Sequence, residues 1–117
     1  MITPFGKVTV AVPGTATRAT VNQSDPTRPV PVQSFMVQAL PGNTGVTYVF
    51  ACGGSFSDDR TNLTKCIGIL PAPADPVDGP FPSLSVGKPM IPAGDDLTRI
   101  WIDVSVAGNG AVISAET

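Results

Sequence analysis

The 117-residue chain contains no histidine. That removes the commonest general base, the commonest metal ligand and every Ser–His or Cys–His nucleophilic pair. Charge is also scarce. Charged residues make up 14% of the chain, against about 25% in an ordinary soluble domain. The seven basic residues are scattered, and no basic stripe exists to neutralise a run of phosphates, which argues against nucleic acid as a partner. No apolar run approaches the roughly 18 residues of a membrane-spanning helix, so no membrane association is expected. No charged segment followed by an apolar one marks a secretory signal. Nothing in the residue set calls for a cofactor or a metal, and none is expected.

Acidic chemistry is thin as well. A glycoside-cleaving pair needs one carboxyl raised by an apolar pocket, whereas most of the aspartates here sit beside Gly, Pro or Ser in turn-like segments. Asp58-Asp59 and Asp95-Asp96 lack the Asp-x-Asp-x-Asp-Gly spacing of a calcium loop, and capping of turns through side-chain-to-backbone hydrogen bonds is the simpler role for them. The chain therefore reads as a non-enzyme. There are two cysteines, Cys52 and Cys66. A disulfide between them would close a loop worth about 3 kcal/mol in the chain-entropy view. In a reducing compartment the same residues are small buried hydrophobes, and two free thiols are the expected state.

What the chain does have is punctuation and β-formers. Thirteen prolines and twelve glycines leave no room for several long helices. Between the breaks, strands are expected near 6–12, 16–22, 32–40, 46–51, 66–70, 83–86, 97–106 and 111–114. In 32–40, Phe35, Val37 and Ala39 share one face, opposite Ser34, Met36, Gln38 and Leu40. In 97–106, Ile100, Ile102, Val104 and Val106 oppose Trp101, Asp103 and Ser105. Pro41-Gly-Asn-Thr-Gly45 and Ala107-Gly-Asn-Gly110 carry turn chemistry and are expected to close hairpins. About eight short antiparallel strands in one domain of this length indicate an all-β fold: a sandwich, a jelly roll or a small barrel. Five prolines between 71 and 82 make an extended, semi-rigid loop.

Two stretches add a resemblance. They are Val37-Gln-Ala-Leu-Pro-Gly-Asn-Thr-Gly-Val-Thr-Tyr-Val49, and Pro92-Ala-Gly-Asp-Asp-Leu97 leading into Ile100-Trp-Ile-Asp-Val-Ser-Val-Ala-Gly-Asn-Gly-Ala-Val112. In their order of strands and turns they resemble small virion structural proteins of tailed bacteriophages. The resemblance covers roughly residues 30–115 and omits the first 30 residues and the segments 53–65 and 71–82. It implies a single-domain, jelly-roll-like β-sandwich and a capsid decoration, or cement, protein: made in the host cytoplasm, carried on the capsid surface of the virion, bridging subunits of the major capsid protein, and acting as a homo-oligomer, dimer or trimer. Other virion roles, in a head–tail connector, tail, baseplate or fibre base, are compatible with the same pattern.

For a clamp of this kind the expected contacts lie in an N-terminal arm at 1–5 and in the 71–82 loop. Ile2, Pro4, Phe5, Phe81 and Pro82 are the candidate partner-binding residues, with Phe5 and Phe81 as aromatic anchors for a partner pocket. The competing expectation is that both rings fold back into this domain's own core. A carbohydrate-binding module is a further alternative, and it requires Trp101 and Tyr48 exposed on one face. Trp101 equally fits a packing role.

Overall fold

The computed structural model describes residues 2–51, 66–87 and 96–117. The strands are β1 (Ile2–Thr9), β2 (Thr17–Arg18), β3 (Ser34–Ala39), β4 (Thr47–Ala51), β5 (Cys66–Leu70), β6 (Ser83–Gly87), β7 (Ile100–Val104) and β8 (Gly110–Glu116). They form two four-stranded sheets, ordered β1-β8-β3-β6 and β2-β7-β4-β5, and every pair is antiparallel. The pairs β1:β8, β2:β7, β3:β6 and β4:β5 are the rungs of one long hairpin whose tip lies between β4 and β5. Rolling that hairpin up adds the β3:β8 and β4:β7 pairs. The product is a jelly roll.

Alternation fills the space between the sheets. Phe35, Val37, Ala39, Ala111, Ile113 and Ala115 point inward from the first sheet. Val49, Ala51, Leu70, Ile100, Ile102 and Val104 meet them from the second, and all are buried. Gly68 faces this interior where β5 approaches β6, and a Cβ there would press on the Leu84 side chain.

The architecture corrects several sequence expectations. Neither turn closes a hairpin. β3 and β4 lie in different sheets, as do β7 and β8, so the 41–46 and 105–109 turns pass the chain across the sandwich. Turn residues specify a reversal but not which sheet receives the returning strand. The 97–106 strand begins only at Ile100, because Leu97–Arg99 is a single 3-10 turn. Asp96 caps that turn: its carboxylate accepts from the N–H groups of Thr98 (3.0 Å) and Val30 (2.9 Å). The 16–22 strand shrinks to Thr17–Arg18, after which the chain turns, with Val21 N–H bonded to the Arg18 carbonyl.

The N-terminal arm is likewise a strand. Ile2 pairs with Glu116 and Thr3 with Ala115, so residues 2–5 are an edge of the first sheet. The register slips between Pro4 and Gly6, and the extra residue of this bulge is Phe5. The Asn22 side-chain amide bridges the bulge, donating to the carbonyls of Phe5 (3.1 Å) and Lys7 (2.8 Å). Gly6 has φ +83° there, a conformation glycine adopts without strain. The 71–82 segment is a tied loop. The Asp75 carboxylate accepts from Val77 and Asp78 N–H, Gly42 N–H bonds the Pro76 carbonyl, and Ala39 N–H bonds the Pro82 carbonyl.

Candidate interaction surface

A sandwich buries one side of each sheet and turns the other outward. The outward sides of the two sheets differ in kind.

On the second sheet the outward side is aromatic and largely covered. Phe50 pairs across strands with Trp101, and Arg18 pairs with Trp101 from the other side. The Arg18 guanidinium lies 4.5 Å from the centre of the Trp101 ring, a cation–π contact, and also donates to the Thr98 carbonyl at 2.8 Å. Tyr48 stacks on Phe50 with ring centres 6.2 Å apart. Phe50 is fully buried although it points away from the sandwich interior. Asp103 is buried beside them and accepts from Gly14 N–H at 3.1 Å. Trp101 and Tyr48 do share a face, as a sugar platform requires. Both are half-buried, and Arg18 occupies a face of the indole.

The outward side of the first sheet is open. The register sets its rows: Ile2, Glu116, Ser34 and Gly87 at one end, then Pro4, Ser114, Met36 and Ser85, then Lys7, Val112, Gln38 and Ser83. Ile2 is 75% exposed, Met36 39% and Val112 38%. Lys7 and Glu116 are the charged residues of this surface, and they sit toward opposite ends. Elsewhere it presents small hydroxyls and apolar groups. A shallow depression of about 240 Å³ crosses all four strands at the Ile2 end, between Met36, Ser85 and Ser114. Depletion of charge with retained Met and aliphatic groups is the composition of an interface centre. With strands about 4.8 Å apart and a rise of about 3.4 Å per residue, the surface measures roughly 400 Å².

The sequence-derived candidates divide on this geometry. Ile2 and Pro4 are exposed and belong to the open surface. Phe5 does not: it is 4% exposed and packs in the core. It follows the outward Pro4 and faces inward, so it cannot anchor a partner. Phe81 and Pro82 are half-buried, and Pro82 is held to β3 through its carbonyl. The structure therefore keeps Ile2 and Pro4 together and separates them from Phe81. Sequence reasoning missed Met36, Val112, Ser85 and Ser114 as members of one surface. The outward alternation of Ser34, Met36 and Gln38 was the available signal for it.

The two stretches that carried the resemblance meet in space. The Asn43 side chain donates to the Gly110 carbonyl (2.8 Å) and to Thr47 Oγ1 (3.3 Å), and it accepts from Gly110 N–H (3.1 Å). The Asn109 carboxamide oxygen accepts from Thr44 and Gly45 N–H, each at 2.9 Å. The shared turn residues thus stitch two inter-sheet crossings together at one end of the fold. A Cβ on Gly110 would run into the Val8 carbonyl oxygen.

Carboxylates elsewhere serve the backbone. Hydrogen bonds from the Thr27 hydroxyl and then the Thr27 N–H lower the Asp25 pKa, and those from the Val77 and Asp78 N–H groups lower that of Asp75. Partial burial pushes the Asp96 carboxyl up. The Val30 and Thr98 N–H groups, the Thr98 hydroxyl and the Arg99 charge outweigh that and hold it below the usual range. Among the described residues, no group of three or more His, Cys, Asp or Glu side chains is placed to hold a metal ion. The Cys66 thiol is free and lies 3.3 Å from the Gly68 carbonyl oxygen. Cys52, Asp58, Asp59 and Asp95 lie outside the described residues. Compared with known protein families, curated proteins and solved structures, the chain matches none.

Proposed function

We propose that this protein is a non-catalytic assembly component of a phage virion, a capsid decoration protein that lays the outward side of its first sheet on the major capsid protein. The observation that carries this reading is the open, nearly uncharged surface of β1, β8, β3 and β6, with Ile2, Met36 and Val112 exposed across it. A surface of that composition favours contact with another protein over contact with a charged ligand. The resemblance of the two turn-and-strand stretches to tailed-phage structural proteins supplies the kind of partner.

Area limits how such binding works. Roughly 400 Å² per copy is about half the 800 Å² per partner of a standard stable interface. One copy alone would bind weakly. Many copies on a repeating shell, or several linked in an oligomer, would bind firmly through effective concentration. Bridging neighbouring capsid subunits would then resist their sliding apart under internal pressure.

The test is the number of copies per purified virion relative to the major capsid protein, by quantitative mass spectrometry. Hundreds of copies in a simple ratio support decoration. A dozen point to a connector or tail ring, and none removes the virion reading.

A further inference from the structure

We infer that β6 is a docking edge for a second copy of this chain, and that two copies join through it into one continuous eight-stranded sheet.

A jelly roll has four sheet edges, and exposed edges invite strand pairing unless something blocks them. Three of the edges here are blocked. β1 carries a bulge at Phe5, a proline at position 4 and a lysine at position 7. β2 is two residues long. β5 carries a register shift opposite Val49 and Phe50. β6 has none of these devices. Its five residues, Ser83-Leu-Ser-Val-Gly87, contain no charge and no proline, and they pair with β3 in unbroken register.

The direction of its free groups follows from one bond. Ala39 N–H bonds the Pro82 carbonyl. In an antiparallel ladder bonded pairs recur at every second residue, so Leu84 and Val86 also turn their backbone groups toward β3. Ser83, Ser85 and Gly87 turn theirs outward, and those groups have no partner among the described residues. An antiparallel second copy centred on Ser85 satisfies all of them. Ser85 then faces Ser85 of the second copy, and Ser83 faces its Gly87. The side chains in these pairs are small and uncharged. Leu84 would pair with Val86 of the second copy, and both are only half-buried in the single chain. The edge is therefore complementary to itself in sterics, charge and hydrogen bonding, which is what a two-fold contact requires.

The two-fold axis runs perpendicular to the sheet, so both open surfaces point the same way. Together they offer roughly 800 Å², the size of one side of a standard interface. The inference concerns the free protein and does not depend on the capsid reading, which has its own assay.

Sedimentation of the full chain across a dilution series tests it. The mass should rise with concentration from one 12.0 kDa chain toward twice that value. Ser85→Lys sets two lysine side chains opposite one another across the axis, with Cβ atoms about 5.5 Å apart, and their like charges should weaken association at least tenfold, with an unchanged circular dichroism spectrum. Ser85→Pro removes only an outward N–H, a substitution edge strands tolerate, and should act alike. A wild type that stays at 12.0 kDa throughout overturns the inference. So does a dimer that Ser85→Lys leaves as tight as before, because that dimer uses another surface.

Discussion

Asn43→Ala is the sharpest test of how the two crossings are held. Asn43 is 2% exposed, and its carboxamide satisfies both the N–H and the C=O of Gly110, which is itself buried. Truncation leaves the Gly110 N–H without that partner in a place too tight for easy solvation, while its carbonyl keeps the 3.2 Å bond from Leu40 N–H. A buried orphan costs about 1–3 kcal/mol, so the variant should lose about 1–3 kcal/mol of unfolding free energy. For a domain of this length that is a fall of roughly 4–15 °C in Tm. Urea titration at neutral pH measures it, with Thr44→Ala as the control. Thr44 is exposed and contributes its backbone N–H to the stitch, so its truncation should stay within about 0.5 kcal/mol. Asn43→Asp adds a signature that simple cavity formation lacks. The introduced carboxyl keeps an acceptor for Gly110 N–H but, when ionised, sets a negative oxygen against the Gly110 carbonyl. Burial and that carbonyl raise its folded pKa above the unfolded value. The favourable contribution is then present below about pH 4 and is lost as pH rises through the folded pKa. An Asn43→Ala loss under 1 kcal/mol, or an Asn43→Asp variant no better at pH 4 than at pH 7, would refute the stitch as described.

Three further outcomes are expected. Phe5→Ala should destabilise by about 3–5 kcal/mol in urea, as a core truncation does; a loss near zero would return Phe5 to the surface role that its burial denies. Met36→Glu should leave Tm unchanged, since the side chain is already 39% exposed. It should weaken co-sedimentation with capsids by about tenfold or more, because a carboxylate desolvated without a partner opposes docking; undiminished binding would move the contact off this sheet. The lowered pKa of Asp96 gives stability that is present above its unfolded pKa and lost as pH falls through the folded one. Asp96→Asn should therefore flatten the acid limb of stability against pH below about pH 4, and an unchanged limb would show that the Val30 and Thr98 N–H contacts do not set it.

The sandwich was legible because its signals are local. The alternation in 32–40 marks the inward Phe35 and Val37, prolines and glycines break the chain at strand length, and the lack of histidine and of clustered charge narrows the chemistry. The open surface was half legible: Met36 could be placed on an outward face, but not beside Val112, Ser114 and Ile2. Those neighbours are set by the β1:β8 and β3:β8 pairings, which join residues more than seventy positions apart. Phe5 shows the same limit. Counting alternate residues back from Val8 puts Phe5 outward, because local sequence does not foresee the register shift that lets Phe5 and Val8 both face inward.

The sequence by itself determined that this chain is all-β, built of short strands with reversals at Pro41–Gly45 and Ala107–Gly110, without histidine and with little charge. Each of those properties resides in a residue and its immediate neighbours. Only the tertiary structure decided that both reversals cross between sheets, that Asn43 and Asn109 lock them together, that Arg18 covers Trp101, and that the uncharged, unbroken β6 lies at a sheet edge. Those outcomes depend on which distant strand supplies the next row of hydrogen bonds. Backbone donors and acceptors are the same in every residue except proline, so no single stretch of sequence encodes that choice. It follows from burying all the inward side chains at once.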